Sequence, residues 1–150
     1  MLTPEAETVL RLALAAFLGY IIGLERELSG LPAGDRTHAV VSLGSAAFTI
    51  ASITAFPGGD PTRLAASVVT GLGFLGAGMI LKEPGNIIHG LTTAAGIWAV
   101  GAVGVAIGSG LYLLGISTTV LIFIILTSER VLKLDERLTR RREAQNRGKE

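Results

Sequence analysis

Five apolar runs, each 17 to 20 residues long, govern what this chain can fold into: 8–24, 37–56, 64–81, 91–107 and 111–127, with Arg11 the only Lys, Arg, Asp or Glu inside them. The hydrocarbon core of a bilayer is ~30 Å thick, and a run of about this length is what a helix needs to cross it. Backbone polar groups in lipid must be satisfied within the protein, which leaves helices as the spanning form. The mean hydropathy of +0.57 over 150 residues agrees with a polytopic membrane protein. The expected fold is therefore all-α, a bundle of five spans. No A-x-A cleavage site ends the first run, and further spans follow it, so it does not read as a secretory leader. The chain has no Cys, which excludes disulfides, thiolate chemistry and Cys-ligated metal.

The breaks between the runs are informative. PGGDPTR, residues 57–63, stops one helix and starts another, with Asp60 and Arg63 expected to cap the third span. GSG at 108–110 turns the chain before the fifth. Residues 128–150 hold eight of the thirteen Lys and Arg residues. Positive charge collects on the cytoplasmic side, so the tail is expected inside and, with five spans, the N-terminus outside. Arg26, Arg36 and Lys82 then fall inside, while Arg63 and Arg11 lie outside, Arg11 close enough to its helix end to snorkel. In the tail, Val131, Leu134 and Leu138 recur at helical spacing, which suits an amphipathic helix on the anionic inner leaflet, a helix pair or a protein docking site. A net charge of +1 gives no indication of nucleic-acid binding.

GLGFLG at 71–76 matches G-x-G-x-x-G by letter. A dinucleotide site needs a strand before it, a helix opening at it and an acidic residue about twenty positions on. Here the motif lies inside an apolar run, and Gly90 stands where the acid should be. Small residues in membrane helices let backbones approach closely. Gly71, Gly73, Gly76 and Gly78 in the third span, and Gly104 and Gly108 in the fourth, are read as helix-packing positions, either within the bundle or at a homodimer seam. Gly76 in particular is expected to face a neighbouring helix.

GLERE at 23–27, AGDRT at 33–37, RLAASVVTGLGFLGAGMI at 63–80 and HGLTTAAGIW at 89–98 together resemble the N-terminal membrane domain of the MgtC/SapB (YhiD) family, over about residues 14–126. The resemblance implies a bacterial inner-membrane protein that acts in adaptation to magnesium limitation, acid stress or life inside host cells. It implies either regulation through contacts with other membrane proteins or transport of Mg²⁺ or another small solute. Two details depart from the family pattern. Asp35 stands where Leu is common, and Thr92 where Asn is frequent. Many members also carry a soluble C-terminal domain, where this chain has its basic tail.

A shift of 57 residues pairs FLG at 17–19 with FLG at 74–76, Leu24 with Leu81 and Gly44 with Gly101. Each pair of spans would then comprise a small-residue helix, a charged inner turn and a helix opening with Thr37 or Thr93. That layout is a parallel repeat of spans 1–2 and 3–4, a plan some transporters use.

The charged inner turns are the candidate functional site. Glu25, Arg26, Asp35, Arg36 and Thr37 flank the first turn, and Lys82, Glu83, Asn86 and His89 the second. An unpaired charge at a membrane edge is costly. Glu25 is therefore expected to pair with Arg36, and Arg26 with Glu83, while Asp35 or Thr37 caps the second span. Mg²⁺ takes oxygen ligands and often uses only one or two carboxylates, so Glu25, Asp35 and Glu83 are the metal candidates. Arg26 and Arg36 would compete for the same carboxylates, which makes an ion-pair network the other reading. His38 and His89 read as interfacial residues. No Ser/His/Asp or Cys/His set occurs at useful spacing, so enzymatic activity is not expected. The membrane interior offers only uncharged groups such as Ser45, Thr49, Thr70, Ser117 and Thr119, which weighs against ion transport.

Overall fold

The computed structural model describes residues 3–56, 58–82, 84 and 88–128. It is an all-α membrane bundle of five helices: α1 Pro4–Leu28, α2 Asp35–Thr54, α3 Thr62–Gly78, α4 Leu91–Gly108 and α5 Tyr112–Ser128. Helices α1, α2 and α4 are long and apolar enough to cross a membrane. At 1.5 Å per residue the 25-residue α1 is about 37 Å long. The 29–34 turn and segments 79–82 and 88–90 lie at one end of the bundle, here the near end, and the 58–61 and 109–111 turns at the far end.

Helix α1 starts at Pro4, whose missing N–H is harmless in a first turn. The Thr3 hydroxyl accepts from Ala6 N–H, and Glu5 and Glu7 sit at the positive end of the dipole. Asp60 opens α3 by accepting from Thr62 N–H at 2.9 Å and from the Thr62 hydroxyl at 2.6 Å. Those two donors hold its carboxyl below the usual carboxylate range. Arg63 makes no ion pair with it among the described residues.

The third helix ends at Gly78, three residues before the expected limit. The chain then forms a two-stranded antiparallel hairpin, β1 Leu81–Lys82 against β2 Ile88–His89. Pro84 removes a helical N–H donor, so the helix cannot run through this turn. Gly90, with φ +87°, brings the chain back into α4, and its carbonyl accepts from Ala94 N–H. A side chain at Gly90 would be strained and would also strike the Met79 carbonyl.

Helix α4 is the hub, buried on nearly every side against α1, α2 and α3. Val103 and Ile107 join Ala15, Leu18 and Ala46 in one apolar cluster, Val100 meets Ile22 and Leu126, and Ile97 meets Ala33 and Leu72. Helix α3 is held most loosely. Only Leu72 and Gly76 of it are buried, and Phe74 is 81% exposed.

Candidate functional site

The buried face of α2 is polar. His38, Ser42, Ser45, Thr49 and Ser52 are all buried, with Ala46 the one apolar residue among them. Their steps of four and three residues place them on one stripe of the helix. Two glycine-bearing helices cover that stripe. On α1, a Cβ added at Gly19 would stand 2.5 Å from the His38 carbonyl oxygen, and one at Gly23 would be 2.9 Å from His38 Cβ. On α4, a Cβ at Gly104 would stand 2.7 Å from Ser45 Cβ, and one at Gly108 2.7 Å from the Ala46 carbonyl oxygen. The backbones touch on those two sides, while toward α3 the Ser45 position borders a largely apolar cavity of about 410 Å³ between α2 and α3. Ser45 and Thr49 donate back to the carbonyls of Val41 and Ser45, each at 2.8 Å, so their hydroxyls are satisfied within α2. Ser52 donates to the Pro61 carbonyl at 3.0 Å and ties α2 to the start of α3.

His38 is not interfacial, as its position near the start of a span suggested. It is fully buried, and its Nδ1 lies 2.8 Å from the Gly34 carbonyl. Burial follows from the stripe, since His38 is its first member.

At the near end the charges do not pair as expected. Glu25 and Arg26 are 6% and 4% exposed, and they pair with each other, Arg26 Nη1 to Glu25 Oε2 at 3.5 Å. The Ser29 hydroxyl donates to Glu25 Oε1 at 2.9 Å. Arg36 is exposed and forms no ion pair among the described residues. It lies two residues before His38, about 200° round the helix from the face that meets α1. The expected Glu25–Arg36 pair is therefore absent. Asp35, half-buried, accepts from the Arg36 N–H at 2.6 Å, and Thr37 is half-buried within the first turn. Lys82 and His89 stand exposed on the hairpin. Glu83 and Asn86 lie outside the described residues, and the expected Arg26–Glu83 pair lies there with them.

Of the metal candidates, Glu25 is turned to Arg26 and Ser29, and Asp35 to its own helix. No group of three or more His, Asp or Glu converges among the described residues. A divalent cation at Glu25 would face the buried Arg26 guanidinium, so these residues do not fit an Mg²⁺ cage.

A second polar cluster, at the far end, escaped the sequence reading. Arg11 pairs with Glu7, donates to Tyr112 Oη at 3.1 Å, and donates to the Gly108 carbonyl at 3.1 Å. Its guanidinium also lies 5.8 Å from the Tyr112 ring centroid. Arg11 does not simply snorkel. It closes the C-terminal end of α4, where a cation is favoured, and links α1 to α5. The sequence signal was Glu7 and Arg11 at i, i+4. The Tyr112 partner, 101 residues away, carries no local signal.

The glycines of α3 divide. Gly76 lies against Ala94 of α4, where an added Cβ would meet Ala94 Cβ at 3.6 Å. Gly71, Gly73 and Gly78 face open space, so packing within the bundle does not use them. Gly71 and Gly73 lie about 100° to either side of the Leu72–Gly76 face, and Gly78 about 200° from Gly76.

The family model for the MgtC family matches residues 12–134. YhiD of Escherichia coli K12, named as a candidate magnesium transporter, is 49% identical over 129 residues, which is 81% of this chain and 60% of that protein. Protein SapB of Bacillus subtilis is 42% identical over 116 residues, 72% of this chain and 50% of its own length. Protein MgtC of Brucella abortus is 47% identical over 108 residues, again 72% of this chain and 45% of its own. The chain thus spans about half the length of the curated relatives it matches. No solved structure matches it. The family model covers most of the chain and these relatives are 42–49% identical to it, so the chain belongs to the MgtC family.

Proposed function

We propose that this protein is a non-enzymatic component of the bacterial inner membrane, acting in adaptation to magnesium limitation through contacts with other membrane components. The supporting observation is the packing of the α2 stripe, whose neighbouring cavity, toward α3, is lined almost wholly by apolar surface. The polar groups inside the bundle are pressed against glycine backbone on both sides, and the buried charges sit at the near end, as the Glu25–Arg26 pair. A conduction path needs polar groups that line open space. Gly71 and Gly78, seven residues apart and so on one side of α3, leave a face on which a neighbouring helix, including a second copy, would pack without obstruction.

Two measurements test this. In proteoliposomes the protein is expected to pass no Mg²⁺ above the protein-free background, while expression of the chain should restore growth in low magnesium to a strain lacking its own family member. Mg²⁺ flux that saturates with concentration would replace this reading with transport. Orientation is checked separately. In this Cys-free chain, Ser109→Cys and Gln145→Cys should label from opposite sides, Ser109→Cys from outside. Labelling of both from one side would refute a five-span topology.

A further inference from the structure

Four side-chain atoms toward one end of the bundle are buried without a hydrogen-bond partner among the described residues: His38 Nε2, Ser42 Oγ and Glu25 Oε2, and Thr127 Oγ1 on α5. His38 and Ser42 are both 0% exposed and stand one helical turn apart on the α2 stripe. Their protonation logic is constrained. The Gly34 carbonyl can only accept, so His38 Nδ1 carries the hydrogen and donates at 2.8 Å. In the neutral ring Nε2 is then a bare acceptor, which needs a donor. It points toward α4 at Gly96, where an added Cβ would stand 3.6 Å from it. The glycine leaves that side of the ring without a side chain.

We propose that His38 Nε2 and Ser42 Oγ form a buried hydration site between α2 and α4, in which a water molecule donates to Nε2 and bonds the Ser42 hydroxyl. Buried polar groups in a low-dielectric interior find partners, and internal water is the usual one where protein groups do not reach. Residues at i and i+4 have Cβ atoms about 5–6 Å apart, a gap one bridging water can span. Glu25 Oε2, ion-paired with Arg26 but without a hydrogen bond, offers a further acceptor at the same end. The charged groups around the site are Glu25 and Arg26 of α1 and Asp35 of α2. The facing part of α4 contributes Thr93 and Gly96, both uncharged. The Arg26 guanidinium opposes a cation in this position, and Glu25 already has Arg26 for its charge. A neutral donor is the ligand this set accepts.

The experiment is solid-state NMR of the full chain in liposomes with ¹⁵N-labelled histidine. Only His38 and His89 contribute signals, and His89→Gln assigns them. The expected result at neutral pH is a neutral His38 ring with hydrogen on Nδ1 and an unprotonated, hydrogen-bonded Nε2. Magnetisation should pass from water to the ring although the residue is fully buried. Ser42→Ala should leave the tautomer and the water transfer in place. A doubly protonated ring, hydrogen on Nε2, or no transfer from water would each overturn the site. Loss of the Nε2 hydrogen bond in Ser42→Ala would show a direct Ser42–His38 bond in a dry interior, and would overturn it as well. The wild-type spectrum decides the first three outcomes, so the inference stays testable if Ser42→Ala fails to fold.

Discussion

Glu25→Gln is expected to destabilise the bundle by about 3–5 kcal/mol, whereas Glu27→Gln, two positions away, should change stability by less than about 1 kcal/mol. Glu25 is 6% exposed and is the ion-pair partner of Arg26, which is itself 4% exposed, so removing the carboxylate leaves a buried guanidinium without its counter-charge. Glu27 is exposed, with its carboxylate beside Gly34 at the start of α2. The check is unfolding of each variant in the same detergent by denaturant titration. Exchanging the charges, Glu25→Arg with Arg26→Glu, keeps one of each sign in the same space and should recover part of the loss. Exchange with Arg36 should recover none, because Arg36 is exposed and points away from α1. Equal, small effects at Glu25 and Glu27 would mean that the pair is solvated and only marks the membrane edge.

Gly104→Ala should cost about 2–3 kcal/mol, at the upper end for overpacked sites. One methyl group there runs into the Ser42 carbonyl and stands 2.7 Å from Ser45 Cβ, so α2 and α4 must move apart along the whole stripe. Gly71→Ala is the control. It faces open space, and replacing a mid-helix glycine by alanine gains up to about 1 kcal/mol from helix propensity. Both substitutions add the same atoms to a transmembrane glycine, and the expected signs are opposite. Thermal unfolding of the two variants in one detergent measures the difference. A loss at Gly71→Ala comparable to that at Gly104→Ala would place a second helix, from another copy, against α3.

Some of the site was legible in the chain. Ala15, Leu18 and Ile22 of α1 recur at steps of three and four, and Glu25 and Arg26 continue that series, so their burial follows from the same periodicity that marks the apolar core. Reading them as the end of a span, and not as the next members of its buried stripe, led to Arg36 as the partner. The pairing of neighbours was also hidden by geometry. Residues at i and i+1 leave a helix about 100° apart and do not ordinarily face one another. The α2 stripe was equally regular, at positions 38, 42, 45, 49 and 52, but it is made of His, Ser and Thr. A search for apolar periodicity passes over it.

Length and hydropathy by themselves determined that this chain is a bundle of membrane helices, because ~30 Å of hydrocarbon admits nothing else in apolar runs of this length. The breaking turns followed from Pro and Gly, and the family from its combined motifs. Which face of each helix is inside was decided only by the tertiary structure. In lipid, apolar side chains are equally at home against a neighbour or against acyl chains, so hydropathy carries no inward direction. The direction came from where backbones could touch. Gly19, Gly23, Gly104 and Gly108 allow α1 and α4 to close on α2, and that closure buries His38 and Ser42. The glycines of α3 at 71, 73 and 78 have the same chemistry and remain open, Gly71 toward the cavity that separates α3 from α2.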